Sequence, residues 1–121
     1  MTLDREIRDE RFLAASVRGR GTTVLSACSH AGIVNVGLEA RRLLPDQAID
    51  VLLGAYHLAG AAVEDRIDPT VRDLTELVAP RIVAPGHCTG WRAAGALADA
   101  FSPGGYAPSV VGSRYVLSAA G

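Results

Sequence analysis

The sequence predicts an α/β domain, a mixed sheet with flanking helices, and two observations carry that prediction. Short apolar and β-branched runs, typical of strands, alternate with stretches whose apolar residues recur at helical spacing. Glycine and proline clusters separate these runs, as expected of turns. The resulting order is hairpin, helix, strand, helix, strand, helix and short strands, which favours helices packed on a sheet.

The strands are predicted from the apolar and β-branched runs. The first two form a hairpin across a glycine-containing turn, and the third has the continuous apolar character of a strand covered on both faces. The predicted strands are residues 11–17, 22–27, 49–55 and 81–84, with a terminal pair at residues 109–112 and 114–117.

Three helices are predicted from the spacing of apolar residues. The first covers residues 33–44 and ends before a proline. The second has Asp68 as its expected N-cap and runs to Pro80. The third covers residues 90–101, and we expect its Trp91 to lie in the core.

Composition and charge indicate one globular domain over residues 1–121, with a charged leading segment at residues 1–10. Apolar residues make up 49% and charged residues 21%. The net charge of −1 gives no reason to expect nucleic acid or a membrane surface as a partner. The charged N-terminus and the absence of a long apolar run lead us to expect a cytoplasmic location.

Every His and Cys of the chain lies in one of three short loops, each directly after a predicted strand. The loops are Cys28-Ser29-His30, Tyr56-His57 and Gly86-His87-Cys88. In α/β sheets, side chains at the carboxyl ends of neighbouring strands converge on one crevice. We therefore expect the five His and Cys side chains to share one site.

Imidazole and thiolate groups are the ligands of zinc and related metals, so a metal site is the first interpretation of these loops. The alternatives are loop capping for each histidine and a small buried residue for Cys28. Cys88 is a weaker candidate than His87, and a thiol-reactive protein is the weakest interpretation. Ser29 lacks the G-x-S-x-G motif of a nucleophile. Arg92 either holds an anionic substrate group or is surface charge, and surface charge is slightly favoured.

The same loops resemble the later motifs of a known family. Residues 27–35, 54–58 and 84–90 are similar to the motifs GCSH-x-GI-x-N, GG-[FL]-HL and PGHCTG. These belong to a group of metallo-β-lactamase-fold metallohydrolases, the 7,8-dihydropterin-6-methyl-4-(β-D-ribofuranosyl)aminobenzene-5′-phosphate synthase-like group. The third motif matches completely. The other two depart by one or two residues, at Ala27 and at Ala55-Tyr56, and keep their Cys and His.

The resemblance implies half of an αββα sandwich with a metal site at one edge of its sheets. The metal would be zinc, or else manganese or iron, and Cys28 would stand near the position of the superfamily's bridging carboxylate. The predicted site residues are the ligands His87 and Cys28, the catalytic candidates His30 and His57, and the substrate contacts Ser29, Thr89 and Arg92.

The superfamily's main metal motif, H-x-H-x-D-H, does not occur in this chain, which has three widely spaced histidines. We therefore expect the C-terminal half of a metal-dependent hydrolase, acting on an ester or phosphoester-type bond of a small molecule. Without a separate N-terminal half it would be inactive and would bind metal weakly. The alternative is a non-catalytic half-domain that self-associates or binds a partner chain through an uncovered sheet face.

Overall fold

The computed structural model describes residues 11–119, which form a four-stranded mixed sheet and three helices. The predicted α/β class is confirmed, and the leading segment, residues 1–10, lies outside the described residues. No helix in residues 11–119 is long and apolar enough to cross a membrane. The elements are β1 (Phe12–Val17), β2 (Gly21–Ser26), α1 (Ile33–Leu43), β3 (Ile49–Gly54), α2 (Ile67–Asp73), β4 (Ile82–Pro85) and α3 (Trp91–Phe101).

The strands lie in the order β1-β2-β3-β4, which is also their order along the chain. β1 and β2 form the predicted antiparallel hairpin, and β2, β3 and β4 are parallel. Parallel neighbours need a crossover, which α1 supplies between β2 and β3 and α2 between β3 and β4. The carboxyl ends of three parallel strands therefore lie side by side, where the three His and Cys loops begin.

The helices pack on one face of this sheet and form the core with it. A close approach between α1 and the helical turn after α2 depends on Gly37, because a Cβ there would lie 2.6 Å from Cγ1 of Val78. The fully buried core side chains include Val24, Leu52 and Val83 from the sheet, Ile33 and Ala40 from α1, Leu74 and Val78 from the turn after α2, and Leu97 from α3.

The helical segment between β3 and β4 is longer and less regular than predicted. It begins as a 3₁₀ turn at Glu64–Arg66 and ends as a π-helical turn at Leu74–Val78. The N–H groups of Val63 and Glu64 both donate to the carbonyl of Gly60, which starts the helical path early. Asp68 consequently lies inside the first turn of α2, and its predicted role as N-cap is wrong.

The predicted terminal strand pair is also wrong within residues 11–119. Residues 105–109 instead run beside β4, where backbone hydrogen bonds of 2.8–3.0 Å join them to Val83 and Pro85. This segment makes a single parallel bridge, at Tyr106, and Pro108 has no N–H to extend a ladder. The chain then folds back over the face of the sheet opposite the helices, without regular secondary structure.

That opposite face carries a row of leucines in register across three strands. Leu13 pairs with Leu25, and Leu25 pairs with Leu53. Leu13 is 62% exposed and Leu25 is 41% exposed, whereas Leu53 and residues 115–117 of the C-terminal segment line a cavity of about 200 Å³. An apolar surface is thus open over β1 and β2 and partly covered over β3 and β4.

Candidate metal site

Three loops at the carboxyl ends of β2, β3 and β4 bring all five His and Cys side chains together. Their ligand atoms form two groups, in each of which every pair of atoms lies within 4.8 Å. The parallel strand ends therefore produce the expected convergence, and the role of each residue stays a prediction. The first group is Cys28, His87 and Cys88, and the second is Cys28, His30 and His57.

The two cysteines are close to each other and to a histidine. The Sγ atom of Cys28 lies 3.3 Å from Sγ of Cys88 and 3.7 Å from Nδ1 of His57. The rings of His30 and His57 meet edge to face, with their centroids 4.5 Å apart. His30 and His87 are exposed while both cysteines are half-buried, so the site is open to solvent on its histidine side.

Each of the three loops contains a non-glycine residue in the left-handed region of backbone conformation. The φ angles are 65° at Ser29, 54° at His57 and 51° at Cys88. For residues with a Cβ this conformation costs about 1–2 kcal/mol. Backbone strain of this kind persists only where the surrounding structure holds it, and it is concentrated at functional sites.

Backbone hydrogen bonds hold the loops in these conformations. The N–H groups of Leu58 and Ala59 both donate to the carbonyl of Cys88, over 2.9 and 3.0 Å. The end of β3 lies against β2 because Gly54 has no side chain. A Cβ at Gly54 would lie 2.1 Å from the carbonyl oxygen of Ser26, and its φ of 136° also favours glycine.

Two of the predicted substrate contacts, Ser29 and Thr89, are buried within the loops. The Oγ atoms of Ser29 and Ser26 are 2.6 Å apart, and Oγ1 of Thr89 accepts a hydrogen bond from the N–H of Tyr56 over 3.2 Å. Ser29 is 1% exposed and Thr89 is 2% exposed. Their hydroxyls stabilise the loops, and a contact with substrate at either position stays a prediction.

Tyr56 anchors the loop after β3 in the core. Its hydroxyl donates to the carbonyl of Leu52 over 2.5 Å. Burial raises the pKa of Tyr56 well above its usual value, because the phenolate would lose its hydration. Tyr56 therefore stays protonated and acts as a structural residue beside His57.

The first turn of α3 lies on the exposed side of the His87 loop. Trp91 is 79% exposed, so its predicted place in the core is wrong: Ala93 and Leu97 take the buried face of this helix instead. The guanidinium of Arg92 lies 3.0 Å from the carboxylate of Glu64, and its Cζ is 5.0 Å from the centroid of the Trp91 ring. Arg92 thus belongs to a surface ion pair, and its contact with substrate stays a prediction.

An open groove of about 470 Å³ runs beside His87. Its lining is mostly apolar and includes His87. A groove of this kind can hold the organic part of a small molecule while the reacting bond lies near the polar group. The lining side chains include His87, Trp91, Tyr106, Val110 and Val111.

The close approach of Cys88 to Cys28 was not evident from the sequence, which ranks Cys88 below His87 as a ligand, and that ranking stays a prediction. The Cys88 sulfur lies nearer to Sγ of Cys28 than Nδ1 of His57 does. The available signal was its position next to a histidine at a strand end. The sequence does not indicate how far the loops after β2 and β4 bend over the end of β3.

No family model matches this chain, but its sequence and its structure are similar to those of known proteins. Over 87 residues, 72% of the chain, the sequence is 34% identical to the 7,8-dihydropterin-6-methyl-4-(β-D-ribofuranosyl)-aminobenzene-5′-phosphate synthase of Methanocaldococcus jannaschii. The crystal structure of a metal-dependent hydrolase of the β-lactamase superfamily matches 88% of the chain with a TM-score of 0.77 and 28% identity. The chain spans 29% of the length of the first protein and 40% of the second.

Proposed function

Because the chain shares the fold of the metal-dependent hydrolases of the β-lactamase superfamily, we propose that it is the C-terminal, metal-binding portion of such an enzyme. The observation that supports this most is the convergence of five His and Cys side chains at three parallel strand ends. The reaction that we propose is hydrolysis of an ester or phosphoester-type bond in a small molecule. The apolar groove beside His87 would hold the organic part of that molecule.

The donor atoms of the site fit a metal ion of the zinc class. Ligand atoms about 2.0–2.3 Å from one tetrahedral ion lie about 3.3–3.8 Å from one another. The sulfur and nitrogen atoms of each group lie within 4.8 Å of one another, so small side-chain movements would bring them onto one ion. When bound, such an ion supplies Lewis acidity and lowers the pKa of a coordinated water to about 7. His87 and Cys28 would hold it, with manganese or iron as alternatives to zinc.

His30 and His57 are the residues that we propose for proton transfer. His30 is exposed, and its ring contacts that of His57, so a substrate or water beside the site would approach the two imidazoles. A ring nitrogen of either residue can accept a proton from the attacking water and return it to the leaving group. The buried hydroxyls of Ser29 and Thr89 keep the loops that carry these groups in position.

We further propose that full activity needs a separate N-terminal half that carries the H-x-H-x-D-H motif. The motif is absent from this sequence, and the chain spans 29% and 40% of the length of the two similar proteins described above. The ligands of this chain would then form one side of a shared site.

Reconstitution tests this function. The chain is mixed with the N-terminal part of the Methanocaldococcus jannaschii relative, and metal content and hydrolysis of bis(p-nitrophenyl) phosphate and p-nitrophenyl acetate are measured. We expect hydrolysis in the mixture but not with the chain alone.

His87→Ala should lower the rate of hydrolysis by the mixture at least about 100-fold, because even groups outside the ligand shell contribute about 10–100-fold. Asp99→Ala, on the exposed surface of α3, is the control. A complex of the two parts that holds no metal and hydrolyses neither substrate would show the proposal to be wrong.

The open leucine surface favours a second candidate, a non-catalytic half-domain that acts by self-association or with a partner chain. Leu13 and Leu25 are neighbours on this surface and are both exposed. Light scattering should then find a dimer that Leu25→Glu converts to a monomer. Leu43→Glu, at the exposed end of α1, should leave the dimer intact. A well-folded monomer at micromolar concentration would contradict self-association.

A further inference from the structure

Cys28 and Cys88 meet although their loops follow strands that are not neighbours. β2 and β4 lie on either side of β3, so a spacing of about 4.8 Å between strands places their ends about 10 Å apart. The two sulfur atoms are nevertheless 3.3 Å apart. Both loops must bend across the end of β3 to bring the two sulfur atoms together. The packing of the strands does not require this bending.

The conformation of Cys88 adds to this observation. Its φ of 51° lies in the left-handed region, which a glycine adopts more easily than a cysteine. Gly90, two residues later, also has a positive φ, of 84°. Hydrogen bonds from Leu58 and Ala59 to the carbonyl of Cys88 hold the conformation. In it, the Cys88 sulfur lies over the Cys28 loop, 4.0 Å from the carbonyl oxygen of Cys28.

The distance between the two sulfur atoms distinguishes a disulfide from two thiolates that bind one metal ion. A disulfide joins its sulfurs at about 2.0 Å. Two thiolates on one tetrahedral zinc lie about 3.8 Å apart, since each zinc–sulfur bond is about 2.3 Å long. The observed 3.3 Å is nearer to the second value, and a ligand atom of His87 lies within 4.8 Å of both sulfurs. The third donor favours a shared metal ion over a pair of packed thiols.

We propose that Cys28, Cys88 and His87 form a three-ligand zinc site held entirely by this chain. The inference rests on the proposed metal-dependent function, and it adds Cys88 as a ligand and metal binding without a second chain. Two cysteines and one histidine leave the fourth position of a tetrahedral zinc open, as in catalytic zinc sites. Zinc binding by the chain alone is then tight, in contrast to the weak binding expected from the absent histidine motif.

The two thiolates also determine which metal the site selects. Thiolates are soft ligands that favour zinc, whereas magnesium and manganese favour oxygen. His30 and His57 belong to the other group of ligands and share only Cys28 with this site. They are consequently not required as ligands of a zinc ion held by Cys28, Cys88 and His87.

Cobalt titration counts the thiolate ligands, because each thiolate adds to the near-ultraviolet charge-transfer absorption of bound Co²⁺. The full chain is reduced, titrated with CoCl₂ without oxygen, and tested for zinc affinity against a chromophoric chelator. We expect two thiolates per bound cobalt in the wild type and half the absorption in Cys88→Ser. Zinc affinity in Cys88→Ser should fall more than about 100-fold, since partners outside the ligand shell already contribute about 10–100-fold. His30→Ala, in the other group, is the matched control and should keep both thiolate contributions.

A measurement on the wild type covers the case that Cys88→Ser does not fold. Zinc should protect both cysteines from alkylation by iodoacetamide, and removal of zinc by EDTA should expose both, as counted by mass spectrometry. Alkylation of one cysteine in the zinc-loaded chain would overturn the two-thiolate site.

The remaining outcomes separate this inference from the proposed function. A spectrum with one thiolate, unchanged in Cys88→Ser but lost in His87→Ala, would overturn the role of Cys88 and leave the metal-dependent function in place. Metal uptake that occurs only with an N-terminal half would overturn the zinc site held by this chain alone and leave the metal-dependent function in place. If neither the chain alone nor its mixture with an N-terminal half takes up metal, both the zinc site and the proposed function are wrong. A chain that loses two hydrogen atoms in air and binds no metal when reduced would assign the pair to a disulfide instead.

Discussion

The backbone at His57 illustrates how single residues build the site. With a φ of 54°, His57 holds a conformation that a glycine would adopt without strain. The N–H groups of the next two residues donate to the carbonyl of Cys88 and thereby hold the turn. An imidazole is therefore kept at a position where backbone energetics alone would favour glycine, as is common at functional sites.

Replacing His57 by glycine should give a more stable protein than replacing it by alanine. Both variants lose the imidazole, but only alanine keeps the left-handed strain, so we expect His57→Gly to be more stable by about 1 kcal/mol. Urea unfolding followed by circular dichroism measures the difference. At Arg72, in the last turn of α2 where the helical path continues into Leu74–Val78, the order should reverse, because glycine in a helix costs about 0.5–1 kcal/mol relative to alanine. If His57→Ala is as stable as His57→Gly, the backbone at this position is not strained.

Residue identity predicted which side chains converge but not how each one is oriented. The five His and Cys residues were recognisable because every one of them follows a strand. The burial of Ser29 and Thr89 could not be recognised, because it depends on hydrogen bonds to Ser26, at the end of β2, and to Tyr56, in the loop after β3. Trp91 is exposed because the small residue Ala93 takes the contact with the core.

At the scale of elements, an ion pair with unequal burial links β3 to the start of β4. Nε of Arg81 lies 2.5 Å from Oδ1 of Asp50, and the side chains are 54% and 3% exposed. Asp50 raises the pKa of Arg81 through this hydrogen bond. Among the described residues, Oδ2 of Asp50 has no hydrogen-bond partner. The buried carboxylate thus depends on Arg81 more than Arg81 depends on it.

Removing Arg81 should therefore destabilise the protein more than neutralising Asp50. Arg81→Ala leaves a buried carboxylate without a partner, and we expect a loss of about 2 kcal/mol in the free energy of unfolding. Asp50→Asn leaves Arg81 free to be hydrated, so the loss should be about 1 kcal/mol or less. Chemical denaturation of both variants and of the double variant measures this. Asp50→Asn should partly rescue Arg81→Ala, and a strictly additive double variant would contradict the account.

The spacing of apolar residues predicted the strands and helices that bury one face. It did not predict the segments whose conformation depends on contacts between elements. The four sheet strands and α1 follow the predicted bounds closely, since their apolar residues form the core. The terminal strand pair did not form because residues 105–109 pair with the free edge of β4. The early start of the helical segment before Asp68 depends on the Gly60 carbonyl, which has no signature in the spacing of apolar residues.

At the scale of the whole molecule, the sheet separates two surfaces with different roles. One face packs against the helices, and the other exposes leucines over β1 and β2. The His and Cys loops lie at the edge between these faces, at the carboxyl ends of the parallel strands. The resemblance of three sequence motifs predicted the metallo-β-lactamase fold, and the match with a solved hydrolase of the β-lactamase superfamily confirms that prediction. The contact between Cys28 and Cys88 needed the three-dimensional structure, because the cysteines are 60 residues apart.

X-ray absorption spectroscopy at the zinc edge tests the central claim most directly, which is that the converging loops form a metal site of thiolate and imidazole ligands. The zinc-loaded chain should show sulfur atoms at about 2.3 Å and imidazole nitrogen at about 2.0 Å from the metal. The sulfur contribution should decrease in Cys28→Ser. A ligand shell of oxygen and nitrogen alone, with no sulfur, would contradict the account.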